Sequence, residues 1–249
     1  MFANGVPETA IAMVMGAIKN DKYGVLDLEN ESVLIPFEYD DITRERDGRI
    51  KLVKAKKVGY ADQTGAILIP CIYDKIDYFF EGMGKVTKGD KYGFISLDGT
   101  QLIPCIYEEA RRFSNHLAVV KKDGKFGLID KSGTVVIPFI YDNAWQQTDE
   151  SVFIMVLKDE KYGLIDAKGE IVIPLIYERL ESFSENLAIA QKDGKQGYIN
   201  RAGETVIPFI YKECRTFRRN GTAYVIPENG DSFYINKKGE CVKGCPEKK

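Results

Sequence analysis

The stretch KYGLIDAKGEIVIPLIYERL, Lys161 to Leu180, decides the fold because it returns as KFGLIDKSGTVVIPFIYDNA (Lys125 to Ala144) and KYGFISLDGTQLIPCIYEEA (Lys91 to Ala110). Its anchor glycine stands at Gly24, Gly59, Gly93, Gly127, Gly163 and Gly197, at intervals of 35, 34, 34, 36 and 34 residues. Its proline recurs at Pro36, Pro70, Pro104, Pro138, Pro174 and Pro208. Three residues further on stands a tyrosine: Tyr39, Tyr73, Tyr107, Tyr141, Tyr177 and Tyr211. A seventh, degraded copy is SFYINKKGECV, Ser232 to Val242, with Phe233 in the glycine position.

A period of about 34 also belongs to a helical hairpin repeat, so residue type has to arbitrate. Each copy places proline inside its most apolar run and is rich in Ile, Val, Tyr and Phe, which suit a pleated surface and not a helix. Within one copy, LAVVKK (Leu117 to Lys122) reads as strand c. The turn Asp123 to Lys125 leads to strand a, FGLID (Phe126 to Asp130). A polar residue with glycine three positions on (Asp130/Gly133, and likewise Asp62/Gly65, Ser96/Gly99, Asp166/Gly169, Asn200/Gly203, Asn236/Gly239) predicts a turn closed by a left-handed glycine. The first copy, DLENES, lacks that glycine, so its hairpin should differ. Strand b, TVVIPFIYD (Thr134 to Asp142), is apolar at successive positions, which predicts cover on both faces. Its proline cannot donate to a ladder and predicts a bend or a sheet edge.

The reading is therefore an all-β tandem repeat with three short antiparallel strands per unit. The units lie at about residues 10–48, 49–82, 83–116, 117–150, 151–186, 187–220 and 221–242, in a single repeat domain with a polar tail at 243–249. One such unit cannot hide its own apolar face, so neighbours must stack. An open solenoid-like array is expected because the end copies are imperfect; a closed propeller-like ring of seven units is the alternative.

Recurrence inside one chain separates packing positions from variable ones. The residue after proline is Phe37, Cys71, Cys105, Phe139, Leu175 or Phe209, so the two cysteines occupy a hydrophobic slot. Where the residue before the anchor glycine is not aromatic (Val58, Gln196), the residue after it is Tyr60 or Tyr198, on the same strand face. One ring per repeat on that face predicts a stacked aromatic ladder. The strand-b tyrosine is followed by Asp40, Asp74, Glu108, Asp142, Glu178 and finally Lys212, which predicts a structural hydrogen bond at the strand end. The connection from b to c diverges between copies. Its variable row contains Asp77, Arg111, Trp145 and Arg215, then Tyr78 and Arg112, and the Trp145 connection carries a two-residue insertion. Arg111, Arg112, Trp145 and Arg215 have the residue types of an interface hot spot and are the candidate partner-binding residues.

Composition narrows the function classes. With 35 basic and 37 acidic residues scattered along the chain, no clustered cationic footprint for nucleic acid is present. The apolar run Ala10 to Ile18 has no Lys or Arg ahead of it, and no segment approaches a membrane span, so a protein without membrane insertion, staying in the cytoplasm, is expected. Five cysteines, an odd number at low density, fit a reducing compartment; Cys241 and Cys245 in CVKGC have the wrong spacing for a Cys-x-x-Cys clip. The single histidine, His116, has no fixed catalytic partner, and no phosphate loop, nucleophile elbow or metal motif occurs, so neither an enzyme nor a cofactor is expected.

The combined pattern K-[YF]-G-[LF]-I-D, turn Gly, V-I-P-x-I-Y-[DE], then F-S-x-x-L-A resembles the WG repeat family of bacterial proteins, also called KWG repeats, from about Ile11 to Val242. The tryptophan that names the family is replaced before glycine by Tyr, Phe, Val or Gln. The resemblance implies a scaffolding or recognition module without general enzymatic activity. Residues and resemblance together point to a non-enzymatic scaffold that binds a protein or peptide through its variable loops. A glycan-binding module using exposed rings is the alternative, and a hydrolase built on His116 the least supported reading.

Overall fold

An apolar side chain directly follows the anchor glycine in each strand a, and there burial is complete or nearly so: Val25, Phe94, Leu128, Leu164 and Tyr198 are fully buried and Tyr60 is 8% exposed. Each pairs across the ladder with the isoleucine before proline in strand b (Val25 with Ile35, Leu128 with Ile137, Tyr198 with Ile207), which is buried as well. Removing one such side chain from water contributes about 1.5–3 kcal/mol, so these pairs are what holds each hairpin to its neighbours.

The computed structural model describes residues 13–28, 30–146 and 153–246, and no helix occurs among them. The packing forms two compact units, one reaching to Phe113 and including Lys131–Gly133, the other made of Ser114–Asp130 and the residues from Thr134 onward. In the first, β1 (Met13–Lys19), β2 (Lys22–Asp27) and β3 (Ser32–Tyr39) form one antiparallel sheet. β4 (Asp41–Arg44), β5 (Ile50–Lys54), β6 (Lys57–Ala61) and β7 (Ile67–Tyr73) form a second. β8 (Lys75–Phe80), β9 (Met83–Lys88), β10 (Lys91–Ile95) and β11 (Gln101–Tyr107) form a third, and the short β12 (Glu109–Ala110) follows. In the second unit, β13 (Leu117–Lys122), β14 (Lys125–Asp130) and β15 (Val135–Tyr141) run as a meander. β16 (Asn143–Gln146), β17 (Ile154–Lys158), β18 (Lys161–Ile165) and β19 (Ile171–Tyr177) follow as a four-stranded sheet. β20 (Arg179–Leu180), β21 (Leu187–Lys192), β22 (Lys195–Asn200), β23 (Thr205–Cys214), β24 (Thr222–Pro227), β25 (Phe233–Asn236) and β26 (Cys241–Lys243) make a seven-stranded sheet.

Strands c, a and b are thus present in every repeat, for example as β5, β6 and β7. A further short strand precedes them (β4, β8, β16, β20), inside the connection that reads as a loop, and pairs with strand c. The turn glycines Gly65, Gly99, Gly133, Gly169, Gly203 and Gly239 all have φ between 80° and 88°, the left-handed conformation the spacing predicts. The polar residue opening the turn caps it: Asp62 Oδ1 accepts the N–H groups of Thr64 and Ala66 at 2.8 and 3.0 Å, and Asn236 does the same for Lys238 and Glu240. The first copy differs, with Asn30 donating to the buried Asp27 at that place.

The recurrent tyrosine fills the seam between repeats. Tyr39, Tyr73, Tyr107, Tyr141, Tyr177 and Tyr211 are all buried, and burial raises each phenol above its ordinary pKa. Tyr39 packs in one cluster with Cys71 of the next repeat, Tyr73 with Cys105, and Tyr141 with Leu175; Tyr177 meets Phe209 at 5.9 Å between ring centres. The slot after proline is therefore the wall that receives the preceding tyrosine, and its cysteines act as small hydrophobes. No two of the rings expected to form a ladder are in ring contact among the described residues; Tyr198 meets Phe217 of its own repeat edge to face at 4.9 Å, as Phe94 meets Phe113 at 4.8 Å.

Strand b departs from the expectation of cover on both faces. Ile72, Ile106, Ile140, Ile176 and Ile210 are 41–54% exposed, and the prolines are exposed too. The reason is the bulge at proline. Val58 pairs with Tyr73 and Tyr60 with Ile69, so two steps along strand a match four along strand b, and the extra residues are pushed out of the ladder. The strand is also a sheet edge at this point, so both predicted consequences of proline hold together.

The degraded seventh copy folds as β24, β25 and β26 and joins the sixth in one sheet, because β23 runs through the place where other copies break after tyrosine. Cys241 and Cys245, unpartnered in the sequence reading, form a disulfide across a Cα separation of 5.7 Å. Gly244, at φ +69°, folds the chain back and brings the two together despite their spacing. The insertion beside Trp145 and residues 247–249 of the tail lie outside the described residues.

Candidate partner-binding site

Most recurrent polar groups are engaged within the repeats. Asp40, Asp74, Asp142 and Glu178 accept the backbone N–H of Ala55, Gly89, Asp159 and Gly194 in the c–a turn of the following repeat, at 2.7–2.9 Å. The first three also take the ammonium of Lys22, Lys57 and Lys125 from their own strand a, and Lys161 lies 3.6 Å from Glu178. The strand-end hydrogen bond expected from the sequence is thus made by the carboxylate to the next turn. In the sixth copy Lys212 replaces the carboxylate, and there strand b continues unbroken.

What is left over lies in the variable connections. In the first unit a cleft of about 1110 Å³ is lined by the β4–β5 hairpin (Glu45 to Lys51), by β8, by Tyr60, Met83 and Lys85, and by Arg112. A bulge shapes its wall: Ile76 pairs with Val86 and Phe79 with Gly84, so three steps on β8 match two on β9. The extra residue re-aims Tyr78, which is 81% exposed, while Phe79 lies flat on Gly84. Phe80 is 37% exposed at the end of the same strand.

Six cations (Arg46, Arg49, Lys51, Lys75, Lys85, Arg112) and three carboxylates (Glu45, Asp47, Asp77) line the cleft. Arg49 is held between the rings of Tyr60 and Phe79, 4.7 Å from each centre, and donates through Nε and Nη2 to Asp47 at 2.9 and 2.7 Å. Its Nη1 is the single buried side-chain polar atom among the described residues that lacks a hydrogen bond. Asp77 receives Lys75 at 2.6 Å and Lys85 at 3.1 Å. Burial opposes its charge, but the two ammonium groups outweigh burial and hold its carboxyl below the usual range. Arg46, Lys51 and Arg112 make no ion pair among the described residues; Arg112 lies over the Phe80 ring at 4.4 Å.

The four residues singled out from the sequence do not share one environment. Arg111 and Arg112 are exposed in the first unit, and Arg112 joins Asp77 and Tyr78 in the cleft wall. Trp145 and Arg215 belong to the second unit. The Trp145 ring is half-buried, stacked on Tyr162 at 6.1 Å, and packs against that unit's core. Arg215 is exposed and paired with Glu213 at 2.6 Å. Sequence reasoning missed Arg46, Arg49, Lys51 and Phe80. The available signal was the charge-dense run RERDGR, Arg44 to Arg49, which has no counterpart in the other connections.

His116 sits at φ +64° in a turn, in the place Asn186 takes at φ +68° in a later repeat, so backbone geometry accounts for its position. No group of His, Cys, Asp and Glu suited to a metal ion occurs among the described residues. No helix among them is long and apolar enough to cross a membrane.

The WG containing repeat profile matches residues 23–57, 59–92, 92–126, 126–162, 162–195 and 197–226. No curated protein matches the chain. Similar solved structures include a eukaryotic initiation factor (9% identity, TM-score 0.44, 94% of this chain and 73% of that one). Kluyveromyces lactis Hsv2 (10% identity, TM-score 0.39, 83% and 84%) and the Neurospora crassa Pan2 WD40 domain (13%, 0.31, 80% and 75%) are others.

Proposed function

The chain belongs to the family of WG containing repeats, and on that premise we propose that it is a non-catalytic scaffold that holds a protein or peptide partner through its variable b–c connections. The observation that supports this reading is a division of labour. The recurrent tyrosines are buried and the recurrent carboxylates are bonded to neighbouring turns, whereas Tyr78, Arg111 and Arg112, at positions that vary between copies, are exposed. Large exposed rings and arginines are the residue types that carry binding energy at interfaces. No nucleophile, base and orienting group converge at any of these positions, so binding without chemistry is the simpler use of them.

The test is affinity capture from the native host with the full chain and with an Arg111→Glu/Arg112→Glu variant, whose side chains are exposed and whose folding should be unchanged by circular dichroism. Partners identified with the native chain and lost with the variant support the reading. An unchanged partner set would overturn it, as would turnover of a substrate in an unbiased activity screen.

A further inference from the structure

We infer that the cleft of the first unit is a binding site for an acidic peptide segment that carries an apolar or aromatic side chain. The inference rests on the scaffold reading and names the chemistry of the partner.

Size comes first. At about 1110 Å³ the cleft lies at or beyond the upper end of small-molecule pockets, roughly 300–1,000 Å³, so several residues of an extended chain fit it better than a single metabolite. Charge comes second. Asp47 neutralises Arg49, and Asp77 serves both Lys75 and Lys85, which leaves Arg46, Lys51 and Arg112 as cations without a carboxylate. These stand on different elements, the β4–β5 hairpin, β5 and the segment after β12, so they line the walls and suit carboxylates spaced along a chain. The remaining acid, Glu45, and the two paired carboxylates disfavour a continuous polyanion such as an oligonucleotide. Apolar surface comes third: Tyr78 and Phe80 are exposed, with Ile76 and Met83 also in the lining. Fourth, the wall holds the unpartnered Nη1 of Arg49. A buried donor left unsatisfied is costly and calls for an explanation, which an acceptor on a bound peptide would supply. The bulge that turns Tyr78 outward has the same character.

The probe is a fluorescein-labelled octapeptide alternating Glu with Phe, followed by anisotropy against the full chain at 50 mM salt. Saturable binding is expected, weakened about tenfold or more in Lys51→Glu/Arg112→Glu and in Arg46→Glu, and severalfold in Tyr78→Ala. Raising the salt should weaken it further. Trp145→Phe and Arg215→Ala, outside the cleft, should bind as the native chain does. Equal binding of a Lys-for-Glu peptide, tighter binding of an eight-nucleotide single strand or of an oligosaccharide, indifference to the cleft variants, or no binding of the acidic peptide would each overturn the inference. If the peptide fails while host partners are still lost in Arg111→Glu/Arg112→Glu, the acidic-peptide inference falls and the scaffold reading stands. If the peptide binds in the cleft while host capture ignores that variant, the reverse holds.

Discussion

The carboxylate of Asp142 accepts the backbone N–H of Asp159 at 2.8 Å, and through it the end of one repeat grips the hairpin turn of the next. Because Lys125 binds the same carboxylate, each such residue ties a strand of its own repeat, its own backbone and a neighbour's turn at one point. Stacking therefore has a polar fastening beside the apolar seam at the tyrosines.

That fastening predicts an acid sensitivity. Lys125 first, then the Asp159 amide, hold the Asp142 carboxyl below its ordinary value, and Asp40 and Asp74 are lowered in the same way by Lys22 with Ala55 and by Lys57 with Gly89. A group whose pKa is depressed by folding stabilises the folded state above its unfolded value, about 3.9 for Asp, and loses that contribution as pH falls through the lower folded value. Urea midpoints measured from pH 5 down to pH 2 should fall, and Asp142→Asn should show a shallower fall than the native chain. Parallel curves for the two proteins would contradict the role assigned to the carboxylate.

Two glycines of the second unit should respond differently to the same substitution. A Cβ at Gly163 would lie 2.6 Å from the Ile173 carbonyl oxygen and 2.9 Å from Leu175 Cγ, inside the bulge where strands a and b approach most closely. Backbone cannot yield there, so Gly163→Ala should cost about 3 kcal/mol or more. Gly124, at φ +75° with nothing within 4 Å of a Cβ, carries only the left-handed strain of about 1–2 kcal/mol. Urea denaturation of the two variants orders them, and equal losses would refute the close-approach account.

Strand b shows how far the sequence could be read. Repeat length, strand order a to b, the left-handed turn glycines and the difference of the first copy were all legible, because each follows from local residue chemistry recurring in register. The exposure of Ile140 was not, since a run of apolar residues has the same appearance whether a bulge turns part of it outward or not. The extra strands were hidden because they lie in the connections where the copies diverge, so no recurring pattern marks them, and their length ranges from the six residues of β8 to the two of β20. The cleft was hidden because its lining is assembled from several elements and from a bulge at Asp77 and Tyr78 that no pattern announces. Ile137→Ala should cost about 2–5 kcal/mol and Ile140→Thr less than about 1 kcal/mol, although the two stand three residues apart in one strand. Comparable losses in denaturation would mean that the outward face is covered.

Cysteine chemistry gives a direct count. With Cys241 joined to Cys245, the unfolded chain should show three thiols to Ellman's reagent without reductant and five after reduction. In the native protein Cys214 should be silent at pH 8, since burial pushes its thiol up to about 12, and Cys71 and Cys105 should react slowly because burial raises both. Five thiols in the unreduced, unfolded chain would exclude the disulfide.

Tyr60 and Tyr198 occupy the same slot after the anchor glycine, each where the preceding residue is not aromatic, yet their hydroxyl groups have different fates. Tyr198 is fully buried, burial raises its phenol well above the ordinary value, and its hydroxyl donates to the Arg215 carbonyl at 2.7 Å. Beside it Gln196, in the place of an aromatic ring, accepts the Cys214 N–H at 2.7 Å, so this repeat fixes its connection by polar contacts. Tyr60 is 8% exposed and lies under the Arg49 guanidinium, a contact that a phenylalanine ring makes equally well. Tyr198→Phe removes the donor from the Arg215 carbonyl and should cost about 0.5–1.5 kcal/mol, whereas Tyr60→Phe should be close to neutral. Thermal unfolding of the two variants decides the matter: equal shifts would show that the ring, and not the hydroxyl, is what the slot requires.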